Sequence, residues 1–137
     1  MKDRIFFDTN ILVYYFQSKD EPRKSKAIKL IHQNFSRITI SVQVLGELFN
    51  VLKKKGNEHS KCASIVKACM RDFRTFDIQT NHVALALKIN QKYSFSYFDS
   101  LIIASALEAD CKTLYTEDLQ HNQLIENRLR IINPFID

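Results

Sequence analysis

The stretch Ile5-Phe6-Phe7-Asp8-Thr9-Asn10 constrains this chain most. An apolar run ends on a carboxylate, and Ile11-Leu12-Val13-Tyr14 follows with no spacer. The spacing predicts a buried central strand with Asp8 at its carboxyl end, the edge at which open parallel α/β sheets take their ligands. Taken alone, Asp8 reads more readily as the N-cap of a helix starting at Asn10, because Asp is among the best caps. The positions of the other acids have to decide between the two.

The rest of the chain alternates short apolar strands with helical patterns. Residues 4–8 read as a strand and 10–16 as a short helix. Asp20-Glu21-Pro22 opens a second helix, an Asp cap with Pro in the first turn, ending near Phe35. A β-branched strand follows at 38–40. Ser41 caps a helix over 42–55 that stops at Gly56, a favoured residue just past a helix end. The Lys53-Lys54-Lys55 run in its last turn complements the negative end of the helix dipole. Asn57 is predicted to cap a helix over 58–74, residues 76–78 to form a strand, and Asn81 and Ser96 to open helices that reach Tyr93 and Ala109. Residues 112–115 and 130–132 are the last strands. Strands separated by helices build a parallel sheet covered on its faces. The expected fold class is therefore α/β, a single domain over residues 1–137 with about four to five short parallel strands flanked by helices.

Composition removes several other classes. The 137 residues are 45% hydrophobic with only two Gly and two Pro, which argues against disorder and against an all-β fold rich in tight turns. No apolar run approaches the ~20 residues that span a bilayer, and the first residues lack the charge pattern and cleavage site of a signal peptide. No membrane association is expected. Three cysteines are too few for a disulfide scaffold; Cys62 and Cys69, seven apart on a helix, sit roughly 10 Å from each other. Reduced thiols and a cytoplasmic location are the simplest expectation. A net charge of +5 favours a polyanionic partner. Tyr14, Tyr15, Phe16, Phe35 and Phe49 offer aromatic surface to an interface, although core packing is the ordinary fate of each.

Four of the 15 acids resist a bland explanation. Glu47 lies in a helix apolar on nearly every side, where a carboxylate is costly unless paired or bound to a metal; the alternative is an exposed stripe shared with Gln43 and Asn50. Asp99 opens the most apolar helix of the chain, where Ser96 and Asp99 also approximate a capping box. Asp118 follows a strand end, as Asp8 does, and alone would be a routine turn residue. Its neighbour Glu117 is expected to face away, since side chains alternate along an extended segment. All four fall just after strand ends or early in the next helix, on one edge of a parallel sheet. Clustered carboxylates repel one another and require a cation. Oxygen-only ligands select hard ions, Mg²⁺ first and Mn²⁺ next, which support phosphodiester hydrolysis.

These residues resemble the PIN-domain ribonucleases, and most of all the VapC-type toxins of toxin–antitoxin pairs. The resemblance rests on Phe7-Asp8-Thr9-Asn10, on Glu47 in an apolar helix after the second strand, on Phe98-Asp99-Ser100-Leu101-Ile102, on Thr116-Glu117-Asp118-Leu119-Gln120-His121, and on the closing Ile132-Asn133-Pro134-Phe135. It implies a PIN-like α/β/α sandwich in which Asp8, Glu47, Asp99 and Asp118 hold Mg²⁺ or Mn²⁺, supported by Asn10 and Thr116. It also implies an RNA substrate, a cognate antitoxin and a homodimer. A Gly that often follows the His of this last motif is replaced by Asn122, which tolerates left-handed backbone. His121 itself reads as a loop residue rather than a phosphate contact. Two rivals are weaker. An inactive PIN-like module that binds RNA or protein would be favoured by loss of one acid, and all four are present. A haloacid-dehalogenase-type phosphatase needs an Asp where Asn10 stands.

Overall fold

The computed structural model describes residues 3–136. Its six strands lie in the order β3-β2-β1-β4-β6-β5. Five are parallel: β1 (Ile5–Phe7), β2 (Ile38–Ser41), β3 (Arg74–Phe76), β4 (Thr113–Tyr115) and β6 (Leu129–Ile132). The sixth, β5 (Leu124–Ile125), is antiparallel to β6. Phe6 and Phe7 are fully buried, as the apolar opening run requires of a central strand. Helices α1 (Thr9–Phe16), α2 (Glu21–Asn34), α3 (Val42–Lys54), α4 (His59–Asp72), α5 (Thr80–Tyr93) and α6 (Tyr97–Glu108) fill the connections. No helix among the described residues is long and apolar enough to cross a membrane.

The strand order locates the site. From β1 the chain steps to β2 and β3 on one side, then returns to β4 and β6 on the other. The order therefore reverses between β1 and β4, and a crevice opens beyond their carboxyl ends. Asp8 directly follows β1, and Thr116 directly follows β4. The Asp8 N–H donates to the Tyr115 carbonyl at 3.0 Å and fixes the two exits side by side.

Most helix boundaries obey the capping residues. Asp20, Ser41 and Ser96 each accept a hydrogen bond from the third backbone N–H of their helix, at 3.1, 3.4 and 3.2 Å. Gly56 closes α3 with φ +92°. Three expectations need correction. Asn57 caps nothing ahead of it: its side chain donates back to Leu52 O and to Gln17, and Glu58 holds the N-cap position of α4. Asn81 lies inside α5, whose N-cap is Gln79, with the Gln79 N–H donating to His82 Nδ1 at 2.9 Å. The third strand runs over 74–76 rather than 76–78, because pairing with Thr39–Ser41 sets an edge strand's register and an edge needs no apolar run.

The sheet also holds one strand more than expected. The β5–β6 hairpin turns through Glu126 and Asn127, both at positive φ (+50° and +55°). Such turns are ordinarily announced by Asn-Gly or Asp-Gly, and here Tyr93 and Lys92 compensate instead. The Tyr93 hydroxyl accepts the Glu126 N–H at 3.1 Å and donates to its carboxylate at 3.0 Å, while Lys92 pairs with the same carboxylate at 2.6 Å. The three cysteines are free and buried. Of the five candidate interface aromatics, Tyr14, Tyr15, Phe16 and Phe49 pack against the core, and Phe35 stays exposed.

Candidate active site

Asp8 both caps α1 and lines the cavity beyond the strand ends, so the two sequence readings do not compete. Its Oδ1 accepts the Thr9 N–H at 2.8 Å, and its Oδ2 accepts the Thr116 hydroxyl at 2.8 Å. The Thr116 oxygen in turn accepts the Asp118 N–H at 3.1 Å. Asn10, in the first turn of α1, donates from Nδ2 to Asp118 Oδ2 at 3.0 Å and, more weakly, to Thr116 Oγ1 at 3.5 Å. Asp8, Asn10, Thr116 and Asp118 thus form one hydrogen-bonded web across the exits of β1 and β4. Asp8 and Thr116 are the buried members, 5% and 0% exposed.

Two helices supply the opposite wall. Glu47 projects from α3 and Asp99 from the first turn of α6. Both are half-buried. Both line one cavity of about 420 Å³ together with Asp8, Asn10 and Asp118. Among the described residues the Asp99 carboxylate takes no hydrogen bond, although its backbone N–H is capped by Ser96. Glu47 Oε1 is buried without a partner, and so is Asn10 Oδ1. Unpartnered buried oxygens are costly. Here they face the same cavity.

The electrostatics tie the two walls together. Burial pushes the Asp8 carboxyl up to about 7; Asp118 and Glu47 raise it further, and the bonds from Thr116 and Thr9 oppose the rise. Glu47 is held above the usual carboxylate range by burial, with the charges of Asp99 and Asp118 adding. Asp118 moves the same way, through burial and then the charges of Glu117 and Asp99. Each of the four acids therefore feels at least one of the others. They share a cavity without closing on a point: among the described residues no three acid, His or Cys side chains converge tightly enough to hold an ion as they stand.

Several wall residues escape the sequence analysis. Gln43, Glu47, Val51 and Lys55 all line the cavity from α3. They recur at four-residue steps, one stripe of a helix, and that spacing was the available signal. The exposed stripe weighed as the alternative for Glu47 holds for Asn50 alone, which is exposed and off the cavity wall; Gln43 and Glu47 are half-buried on that wall. Phe98 lines the mouth at 66% exposure. Glu117 does not face away, because the chain bends after β4 and alternation no longer applies. Its carboxylate lies on the cavity wall but is occupied, accepting from the Tyr14 hydroxyl at 2.7 Å and from Arg23 Nε at 3.3 Å. His121 is a loop residue, as expected: its Nδ1 accepts the Asn133 N–H at 2.9 Å. Asn122 adopts φ +69°, the left-handed conformation that a Gly would otherwise supply.

The same fold occurs in solved structures. Mycobacterium tuberculosis VapC20, described as a Sarcin-Ricin loop cleaving toxin, superposes with a TM-score of 0.70 at 19% identity, over 83% of this chain and 91% of that one. A toxin–antitoxin complex from Klebsiella pneumoniae gives 0.71 at 20% identity, over 95% and 97%. VapBC2 from Rickettsia felis, bound to a DNA fragment from their promoter, gives 0.67 at 20%, over 94% and 98%. No curated protein sequence matches. At such identities the likeness is one of fold. The sequence itself goes further, for the model of the PIN domain matches residues 5–126. That span takes in every strand end and helix start carrying Asp8, Glu47, Asp99 and Asp118, and this chain belongs to the PIN domain family.

Proposed function

We propose that this protein is a metal-dependent endoribonuclease that hydrolyses RNA phosphodiester bonds, with residues 1–137 acting as one nuclease domain. The observation that carries the reading is the cavity at the β1–β4 switch point. Asp8, Glu47, Asp99 and Asp118 line it from four separate segments, and the buried Glu47 Oε1 on its wall has no protein partner. Asp8, Glu47, Asp99 and Asp118 would hold the ion, with Asn10 and Thr116 supporting. The donor set fits a hard cation, being all oxygen with neither Cys nor His among the cavity residues. The absence of a tight triad is compatible with Mg²⁺, which keeps several waters and takes one or two carboxylates directly; Mn²⁺ suits the same ligands. When bound, such an ion supplies Lewis-acid stabilisation of phosphate charge and a more acidic water.

The chain's own contribution is positioning. The Thr116 hydroxyl and the Thr9 N–H aim the Asp8 carboxylate, and Asn10 aims Asp118. Glu47 stands on a helix anchored in the core by Val44, Leu45, Leu48 and Leu52, and Asp99 on one buried from Ser100 to Leu107, so both backbones are held while the carboxylates line the cavity.

A toxin role, a cognate antitoxin as partner, a homodimeric state and a cytoplasmic site of action belong to the same proposal. They are supported by the PIN family match and by the fold shared with the toxin–antitoxin complexes. The test is cleavage of structured and single-stranded RNA by antitoxin-free protein with Mg²⁺ or Mn²⁺, with Asp99→Asn as the companion. The reading expects products with 5′-phosphates from wild type, none in EDTA and none from the variant. Cleavage that survives EDTA or Asp99→Asn overturns it. Mn²⁺ should also raise the wild-type melting temperature by linkage; a null response in melting and cleavage together leaves a binding module.

A further inference from the structure

A second cleft, of about 530 Å³, is lined by Phe16, Gln17, Ser18, Lys19, Lys24 and Lys55. Half of its wall is lysine and none is acidic. Lys55 also lines the acid cavity, so the two adjoin at that residue. The cleft has a built frame. Its upper wall is the loop from α1 to α2, and its lower wall is the end of α3. The Gln17 side-chain oxygen accepts from Asn57 Nδ2, which also donates to Leu52 O at 2.9 Å and so stitches the two walls together. Phe16 packs against the core beneath.

The three lysines share this cleft with no acidic side chain on its wall. Arg23 pairs with Asp20 and Glu117, Arg71 with Asp72, and Lys92 with Glu126. Among the described residues, Lys19, Lys24 and Lys55 pair with no acid. Three ammonium groups around one cleft repel one another unless a polyanion lies among them. The dipole role expected for the Lys53-Lys54-Lys55 run therefore covers Lys53 and Lys54, which lie in the last turn of α3, and leaves Lys55 with a further one.

We infer that Lys19, Lys24 and Lys55 form a phosphate-backbone subsite that holds the RNA strand on one side of the acid cavity, with Lys55 as the hand-over point. This rests on the nuclease reading for the identity of the polyanion. A strand seated there enters the cavity from its cationic side, so the carboxylates meet only the phosphate that an ion can neutralise. The contacts are to backbone and carry no base specificity. An acidic protein segment is the competing occupant.

The test is the anisotropy of a labelled single-stranded RNA oligonucleotide in EDTA, across a salt series. It compares wild type, Lys19→Gln/Lys24→Gln, Lys55→Gln and, as control, Lys88→Gln, an exposed position on α5 away from both cavities. Lys19 and Lys55 are exposed and Lys24 half-exposed, so the variants should melt with wild type. Removing each cleft lysine should lower the slope of log affinity on log salt by about 0.7, hence by about 1.4 for the pair, and the control should leave the slope where it is. Unchanged slopes in the cleft variants overturn the inference, as does an equal fall in the control. So does a wild type that binds an oligoglutamate peptide through these lysines but not RNA. Failure of the nuclease reading looks different: slopes fall as expected, yet no metal yields products.

Discussion

The two walls of the acid cavity are built on opposite plans. On the strand side, Asp8, Asn10, Thr116 and Asp118 bond to one another, with Thr116 as the hub that both donates to Asp8 and accepts from the Asp118 backbone. On the helix side, the Asp99 carboxylate takes no hydrogen bond among the described residues, and Glu47, with the Gln43 amide beside its carboxylate, keeps Oε1 buried and bare. The strand wall is thus organised mainly by the protein's own bonds, with Asn10 Oδ1 left buried and bare, and the helix wall offers Glu47 Oε1 and the Asp99 carboxylate to an external group. The metal site proposed above needs one wall of each kind. A fully bonded pair of walls would have no ligand left to offer, and two bare walls would repel each other apart.

The largest effect expected from this difference is at Asp8. Burial holds its pKa at about 7, against 3.8 in the unfolded chain, so between those values the folded state keeps a proton that the unfolded state releases. Its stabilising share is complete below pH 3.8 and is lost as pH rises toward 7. At the upper end the loss is on the order of 4 kcal/mol for a shift of this size. Asp8→Asn removes the titration while keeping the shape: Oδ1 still accepts from Thr9, and the amide donates to Thr116. In EDTA the variant should melt with wild type near pH 4 and well above it at pH 8. Chemical denaturation at the two pH values measures this, and equal curves at both would mean that Asp8 is not the buried, strained member of the wall.

Next in size is the hub. Thr116→Val preserves volume but strips Asp8 Oδ2 and the Asp118 N–H of their partner in one step. A buried acceptor left bare costs about 2–3 kcal/mol. Thr116→Ser keeps the hydroxyl and should cost less than about 1 kcal/mol. If Val and Ser prove alike by urea denaturation, the web contributes packing and not hydrogen bonding, and the contrast between the walls fails at its stronger end.

How much of this a sequence discloses depends on the kind of signal. Asp8 was legible because an apolar run can only be buried, and its last residue then has only one place to be. Glu47 and Asp99 were legible as misfits in apolar helices. Thr116 was legible only through the family resemblance, because a threonine at a strand end looks like any other; its role depends on a contact to Asp8 across 108 positions of chain. The β5–β6 hairpin was hidden for a different reason. Its turn uses Glu126 and Asn127 where Gly would be cheaper, and the compensation comes from Lys92 and Tyr93 on α5. The pairing of α1–α2 loop lysines with Lys55 is likewise a matter of where two distant segments meet. Local rules reveal what a residue cannot tolerate, and the misfits they expose are what the tertiary structure then gathers.

The smallest effect on stability should come from the helix wall, and it separates the two walls most cleanly. Glu47 takes no bond at Oε1, and burial, with the charges of Asp99 and Asp118 adding, holds its pKa up. Glu47→Gln therefore breaks no partnership of that oxygen and removes one repelling charge. In EDTA its stability should lie within about 1 kcal/mol of wild type, on either side. With Mn²⁺ the two should part: wild type gains melting temperature with ion concentration, and the variant gains little, because the ion has lost a charged ligand. A thermal melt of both proteins across a Mn²⁺ titration reads the difference directly. If Glu47→Gln is instead destabilised in EDTA as strongly as Thr116→Val, the helix wall is as much a structural device as the strand wall, and its bare oxygen is not waiting for an ion.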